Sequence, residues 1–253
     1  QRLEEIIDNL PETNAYIESE YQEIIQNMYE KMVDLQSTER IKRQEMKDYY
    51  SMWAHQIKTP IAAMKVLMQA ACNTEDAKTY ELLQDMQTEL FKTEQYVEMV
   101  LTYVRMDDMS GDLMLKEYAL DDLVKQALRK YSRMFAMQKL ALHYEPLRVN
   151  VTTDEKWLVF VLEQILSNAL KYTTEGSISI YMEENWLVIA DTGIGICPED
   201  LPRIFEKGFT GYNGRSDKKS TGIGLYLCRQ IIEKLRCQIQ VESEVGRGTQ
   251  VKL

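Results

Sequence analysis

The sequence predicts an α+β chain of two domains, a long helical hairpin followed by an α/β sandwich. Three observations carry that expectation. From Tyr21 to Val104 apolar side chains recur every three or four positions, broken by one polar turn at Asn73-Thr74-Glu75-Asp76. From Leu113 onward short alternating runs and amphipathic stretches follow one another, the pattern of helices on a mixed sheet. The chain has 253 residues, 45% of them apolar, enough for two separate cores.

The bulk numbers narrow the function classes. A formal net charge of -10 argues against nucleic acid as the main partner, because phosphate backbones attract basic surfaces. The four cysteines, Cys72, Cys197, Cys228 and Cys237, match no zinc-ligand spacing and are expected to be reduced thiols. No apolar run is long enough to span a bilayer. The chain begins with Gln1 inside a helix-like pattern, so the expectation is a cytoplasmic fragment of a longer protein.

Residues 1–37 read as a helical linker, with an apolar row at Tyr21, Ile24, Ile25, Met28 and Met32. A stronger helix follows, with Trp53, Ile57, Ile61, Met64, Met68 and Ala71 on one face. At 100° per residue His55 lies about 200° round the helix from Trp53, away from that seam. Pro60 lacks a backbone donor and is expected to kink the helix just past His55. A second helix is expected from Ala77 to Arg105, with Leu83, Met86, Leu90, Val97, Val100 and Val104 on its stripe. Such a hairpin has a thin core, and two copies would complete a four-helix bundle, which predicts a homodimer.

Met106–Asp112 has the composition of a domain linker, so the domains are expected over 38–110 and 111–253. In the second, Leu113–Tyr118 reads as a strand, Leu120–Met137 as a helix, Leu140–Glu145 as a strand and Val149–Val151 as a short strand. Thr153 or Asp154 caps a helix reaching Tyr172. Ser177–Met182 and Trp186–Ala190 form a hairpin, Thr221–Leu235 a helix, and Gln238–Ser243 with Thr249–Leu253 a closing hairpin about Gly246-Arg247-Gly248.

His55 is one of two histidines. A neutral imidazole is a competent nucleophile near pH 7. Taken alone, His55 reads more readily as a histidine on a helix surface. Four downstream segments change that balance. Gln164, Asn168 and Lys171 share one helix face, where an amide oxygen suits Mg2+ and a lysine suits phosphate, with Tyr172 beside them. Asp191-Thr192-Gly193-Ile194-Gly195-Ile196 ends an apolar run and offers a carboxylate to an adenine amino group. Phe205 and Phe209 precede a polar loop, Thr210–Ser220, with the composition of a lid that the two rings would anchor to the core. Thr221, Gly222, Gly224 and Leu225 open a helix whose N–H groups suit phosphate. Each segment alone could be an ordinary polar face, turn or loop. Together they suit ATP, and with a nucleophilic histidine they suggest phosphoryl transfer.

This set resembles a bacterial sensor histidine kinase over residues 40–253. His55–Pro60 resembles the phosphoacceptor box, Gln164–Thr173 the asparagine box and Asp191–Ile196 the first glycine box. Phe205–Phe209 resembles the phenylalanine box, Thr221–Leu225 the second glycine box, and Gly246-Arg247-Gly248-Thr249 the closing glycine motif. The resemblance implies a dimeric histidine-phosphotransfer bundle and a Bergerat-fold ATP domain. It implies that His55 takes the γ-phosphoryl group and passes it to the receiver domain of a response regulator. Asn168 would bind Mg2+, with Gln164 at the neighbouring position of the box. Lys171 would touch phosphate and Tyr172 pack near adenine. Asp191 would accept from the adenine amino group with support from Thr249. Gly193, Gly195, Ile196, Gly222 and Gly224 would shape pocket and lid, and Thr59 would orient water when the regulator is dephosphorylated.

Two positions depart from the family pattern. Gln56 stands where an acid usually follows the phosphoacceptor, and an amide is no base. Gln164 stands where the first asparagine of its box is expected. Trp53–Pro60 and Gly208–Arg215 resemble more narrowly the Firmicute intramembrane-sensing kinases that respond to peptide antibiotics such as bacitracin. Those have two transmembrane helices and commonly work beside an ABC transporter, which would make residues 1–37 membrane-proximal. The competing reading is an ATP-binding dimeric scaffold acting chiefly as a regulator phosphatase through Gln56 and Thr59. A chaperone-like or topoisomerase-like ATPase is disfavoured, since those carry a Glu base where this chain has Gln164.

Overall fold

The computed structural model describes residues 16–71, 76–106, 109, 113–211 and 221–253. The chain divides into two compact units, residues 1–55 and 56–253. Helix α1, Tyr16–Ala71, is the whole described content of the first unit and continues into the second. It passes residues 37–38 without a break. Tyr21, Ile24, Ile25, Met28 and Leu35 are exposed along it. Pro60 lies inside α1 and is buried, and the helix runs on past it to Ala71. The turn expected at Asn73–Asp76 falls largely on residues 72–75, outside the described residues, as does Cys72.

Helix α2, Asp76–Met106, has two faces of different character. Leu83, Leu90, Val97 and Val104, each a heptad from the next, are exposed at 48%, 48%, 38% and 41%. Another face packs on the α/β part. The Phe91 ring meets Tyr131 edge-on with centroids 5.6 Å apart, and Gln95 Nε2 donates to the Tyr131 hydroxyl at 2.6 Å. Lys130 donates to Glu98 at 2.6 Å and to Glu163 at 2.5 Å. Burial pushes the Glu163 carboxyl up against the opposing pull of Lys130, and the two glutamates hold the Lys130 ammonium above its ordinary range despite burial. The expected linker buries Met106 and Met109, while residues 107–108 and 110–112 lie outside the described residues.

The α/β part contains strand β1 (Lys116–Ala119), helix α3 (Leu120–Gln138), β2 (Ala141–Tyr144), β3 (Asn150–Thr153) and helix α4 (Glu155–Tyr172). Then come β4 (Ser177–Glu183), β5 (Trp186–Asp191), a 3-10 turn at Leu201–Arg203, helix α5 (Gly224–Lys234), β6 (Gln240–Glu244) and β7 (Gly248–Lys252). The main sheet has five strands in the order β2-β4-β5-β7-β6, parallel only between β2 and β4. β1 and β3 form a separate antiparallel pair. The core lies between sheet and helices: Ile178, Ile180, Val188 and Ile189 from the sheet face Leu162, Ile165, Leu166, Leu227 and Ile231 from α4 and α5, all essentially inaccessible. Each such aliphatic contributes about 1.5–3 kcal/mol by leaving water.

Local chemistry explains where the elements start. Asp154 caps α4, its carboxylate accepting from Trp157 N–H at 3.3 Å and from Met114 N–H at 2.9 Å. The second bond explains a difference from expectation. Leu113–Leu115 do not join β1, because the Met114 N–H is spent on that cap. Helix α5 begins at Gly224 rather than Thr221 because Gly222, at φ +64°, runs against the backbone of Gly208 and Phe209. Side chains there would clash at 2.4–2.7 Å.

Asp121 ties α3 to the segment after β2. It accepts from the Tyr144 hydroxyl, from Leu147 N–H at 3.1 Å and from Lys125 at 2.5 Å. These donors, led by Lys125, lower its pKa from 3.8 to about 2. A depressed acid stabilises the fold above its unfolded pKa, and that contribution disappears as pH falls through the folded value. Asp121→Asn is therefore expected to lower the urea midpoint at pH 7, with the gap to wild type closing between pH 3.8 and about 2. Urea titrations at pH 7, 4 and 2 check this; a gap independent of pH would show that the ion is not its cause.

Candidate functional site

Three of the motif segments meet at the Asp191 carboxylate, at the end of β5. Asp191 Oδ1 accepts from Gly193 N–H at 2.9 Å, and the Thr249 backbone N–H on the neighbouring strand also supports the carboxylate. The Thr173 hydroxyl at the end of α4 stands beside it, close enough to help hold the charge but without a hydrogen bond of ordinary geometry. Burial outweighs these donors and pushes the Asp191 carboxyl above its usual range.

Glycines build the frame by admitting backbone, not side chains. A Cβ on Gly195, at φ +70°, would lie 2.2 Å from the Glu244 carbonyl oxygen, and one on Gly248 would lie 1.9 Å from that of Asp191. A Cβ on Gly193 would meet Tyr172 O at 2.4 Å, Asp191 Oδ1 at 2.8 Å and Thr173 Oγ1 at 2.9 Å. Ile194 N–H donates to Tyr172 O at 3.1 Å, and Gly246 N–H donates to Ile194 O at 2.9 Å, closing the loop over the strand ends.

Ser243, on β6, joins the frame without any motif to announce it. Its Oγ accepts from Ile196 N–H at 2.8 Å and donates to Gly248 O at 2.9 Å. A hydroxyl has one proton. Since that proton goes to a carbonyl, the 2.9 Å contact between Ser243 Oγ and Thr249 Oγ1 takes its proton from Thr249. Thr249 therefore faces the pocket only as an acceptor.

The phenylalanine and second glycine segments clasp each other. Gly208 N–H donates to Gly222 O at 2.9 Å. Phe205 and Phe209 are half-buried rather than sealed in the core, with Arg229 and Arg203 over their faces at 5.6 Å and 4.5 Å. Buried Ile204, which the sequence reading passed over, is the anchor. Thr221 Oγ1 contacts Met99 Sδ at 3.4 Å and supports Ile223 N–H at 3.3 Å, while Lys207 donates to the Tyr103 hydroxyl at 2.9 Å. Leu225 is half-buried on the first turn of α5. Residues 212–220, most of the expected lid, lie outside the described residues.

Helix α4 links the two groups. Gln164, at 8% exposure, turns its Oε1 onto Gly224, 2.8 Å from where a Cβ would stand. Asn168 and Lys171 are half-buried further along, and the Lys171 ammonium lies 5.1 Å over the Tyr172 ring. His55 and Gln56 lie within α1, their side chains outside the described residues; Thr59 is exposed. Cys197, Cys228 and Cys237 are free thiols. Among the described residues no helix is long and apolar enough to cross a membrane.

Residues 153–253 match the family model of histidine kinase-, DNA gyrase B- and HSP90-like ATPases. Across both parts of the chain, sensor histidine kinase YxdK of Bacillus subtilis is 30% identical, the match covering 89% of this chain and 71% of YxdK. Sensor protein BceS of Halalkalibacterium halodurans is 32% identical, covering 98% of this chain and 75% of BceS. The chain belongs to the sensor histidine kinases. This kinase is an ATP-dependent protein-histidine phosphotransferase of two-component signalling. Its architecture, long helices followed by an α/β ATP-binding domain, is shared with Acinetobacter baumannii histidine kinase AdeS at a TM-score of 0.52 and 22% identity, over 79% of this chain and 96% of that one. ShkA, solved in complex with AMPPNP, shares the fold at a TM-score of 0.51 and 20% identity, over 80% of this chain and 44% of its own. The relatives YxdK, BceS and GraS fit the narrower subfamily resemblance.

Proposed function

We propose that this kinase phosphorylates itself on His55 from Mg-ATP and passes the phosphoryl group to an aspartate of a response regulator. The observation that supports this most is the half-buried Asp191 carboxylate held in a glycine frame at the end of the helix that carries Asn168 and Lys171. A carboxylate there suits an adenine amino group, and Lys171 suits phosphate. Mg2+ would neutralise the phosphates and prefers oxygen ligands. The Asn168 amide fits that role, whereas the Gln164 amide oxygen is turned onto Gly224. Phe205, Phe209 and Ile196 would wall the pocket.

In the transfer, a lone pair of the neutral His55 imidazole forms the N–P bond as the bond to the β-bridging oxygen breaks and ADP leaves. The imidazole then loses its remaining ring proton to solvent, since Gln56 accepts none. Positioning and charge neutralisation carry the rate in such transfers. Thr59 would orient the water that hydrolyses the regulator's aspartyl phosphate. The exposed heptad row Leu83, Leu90, Val97 and Val104 supports a dimer in which a second copy covers it. Membrane attachment through a part of the protein outside residues 1–253, a role in sensing peptide antibiotics and work beside an ABC transporter complete the proposal; they rest on the subfamily likeness.

Incubation with γ-labelled ATP and Mg2+ tests the reading. The label is expected to be acid-labile and base-stable, and to move to a receiver domain that carries its aspartate. Gln56→Glu supplies the missing proton acceptor and is expected to raise the initial labelling rate about tenfold or more. Label that is acid-stable would place the phosphate on a hydroxyl and overturn the histidine assignment.

A further inference from the structure

Sheet register places three polar side chains in one row. Thr249 on β7 stands opposite Asp191 on β5 and opposite Ser243 on β6, so the three share one face of the sheet. Two residues inward, the same face buries Ile189 and Val251. The row therefore lies at the lip of the core, and all three of its members are half-buried. Ser243, two strands from Asp191, has a saturated hydroxyl. Its proton goes to Gly248 O at 2.9 Å, and its lone pairs receive Ile196 N–H at 2.8 Å and the Thr249 hydroxyl at 2.9 Å. A free threonine hydroxyl rotates to donate or to accept, whichever its neighbour requires. Thr249 has lost that choice. Ser243 holds its proton, and lone pairs are all it has left to offer.

We propose that Ser243 is a positioning residue for base selection: by holding the Thr249 proton it keeps two acceptors side by side at the lip, which favours a purine with a 6-amino group over one with a 6-oxo group. An amino group brings two hydrogens, one for the Asp191 carboxylate and one for Thr249 Oγ1, directly or through a water. A 6-oxo oxygen brings none, meets two acceptors and gives up its hydrogen bonds to water on entry. Without Ser243 the Thr249 hydroxyl turns and donates to that oxygen. The inference rests on the nucleotide reading above and adds to it a residue that acts on the base only through Thr249.

The test uses the whole chain and needs no turnover. Wild type, Ser243→Ala, Ser243→Thr, Thr249→Val and the double variant Ser243→Ala/Thr249→Val are titrated calorimetrically with ADP and with inosine diphosphate, whose bases differ only at the 6-position and the adjoining ring nitrogen. Ser243→Ala is expected to weaken ADP about threefold and to tighten inosine diphosphate about threefold, so the preference falls about tenfold. Ser243→Thr keeps the hydroxyl and is expected to restore the wild-type ratio. In the Thr249→Val background, Ser243→Ala is expected to leave the ratio where Thr249→Val put it, because its effect runs through the Thr249 proton. Equal weakening of both nucleotides, with a lower melting temperature, would make Ser243 only a tie between Ile196 and Gly248 and would overturn the proposal. So would a shift in the ratio that persists when residue 249 is valine. Should Ser243→Ala fail to fold, Thr249→Val decides alone: it removes the acceptor, and a purine ratio equal to wild type would overturn the inference. Wild type with no ADP affinity would instead sink the nucleotide reading, and this inference with it.

Discussion

His55→Ala protein incubated with γ-labelled ATP and Mg2+ is expected to stay unlabelled, a loss of about a thousandfold or more against wild type. The magnitude follows from the role. A residue that merely positioned substrate would leave a slowed reaction, whereas removing the nucleophile removes the atom on which the phosphate ends. The only other histidine, His143, is an exposed residue of β2, and no motif segment surrounds it. ADP binding by His55→Ala should match wild type, because the frame described around Asp191 is built from α4, β5, β6 and β7. Residual acid-labile, base-stable label in His55→Ala would assign the phosphoacceptor elsewhere.

The second large effect is at Asp191. Asp191→Asn is expected to weaken ADP binding about a hundredfold, the scale of losing a hydrogen bond to a charged group and leaving its partner opposed. The amide would turn an N–H toward the Gly193 and Thr249 N–H groups or toward the base amino group, and neither accepts. Stability should move the other way. Burial raises the Asp191 pKa in the fold, so ionising it weighs against folding at neutral pH, and stability from this group falls as pH rises through its folded value. The neutral amide escapes that penalty. The variant is therefore expected to melt at or above the wild-type temperature at pH 7 without nucleotide, and to gain less than wild type when nucleotide is added. A variant that loses both binding and several degrees of melting temperature would show Asp191 to be a structural residue of the β5–β7 strand pair.

Both predictions use residues legible in the sequence, and the reason is that the motifs are local. Adjacent residues at one strand end or on one helix face share a site by covalent geometry alone, so Asp191 with Gly193, and Asn168 with Lys171, announce themselves. The alternation of apolar residues placed α3, α4, β4 and β5 within a few residues of their observed ends. Boundaries slipped where a tertiary partner took a backbone group. Leu113–Leu115 read as strand, but Met114 N–H serves the Asp154 cap, and the expected helix start at Thr221 gave way to the Gly208–Gly222 clasp. Phe205 and Phe209 looked like core anchors by type, yet arginines cover their faces and Ile204 is the residue that enters the core.

By itself, the sequence determined the succession of elements, the chemistry available at each motif and the family to which this kinase belongs. Those depend on periodicity and on neighbours along the chain. Only the tertiary structure decided what each polar group is free to do. A proton committed from Ser243 to Gly248 makes Thr249 an acceptor, and the Met114 N–H is committed to the Asp154 cap. Hydrogen bonds between residues far apart in the chain set those assignments, and no spacing along the sequence encodes them.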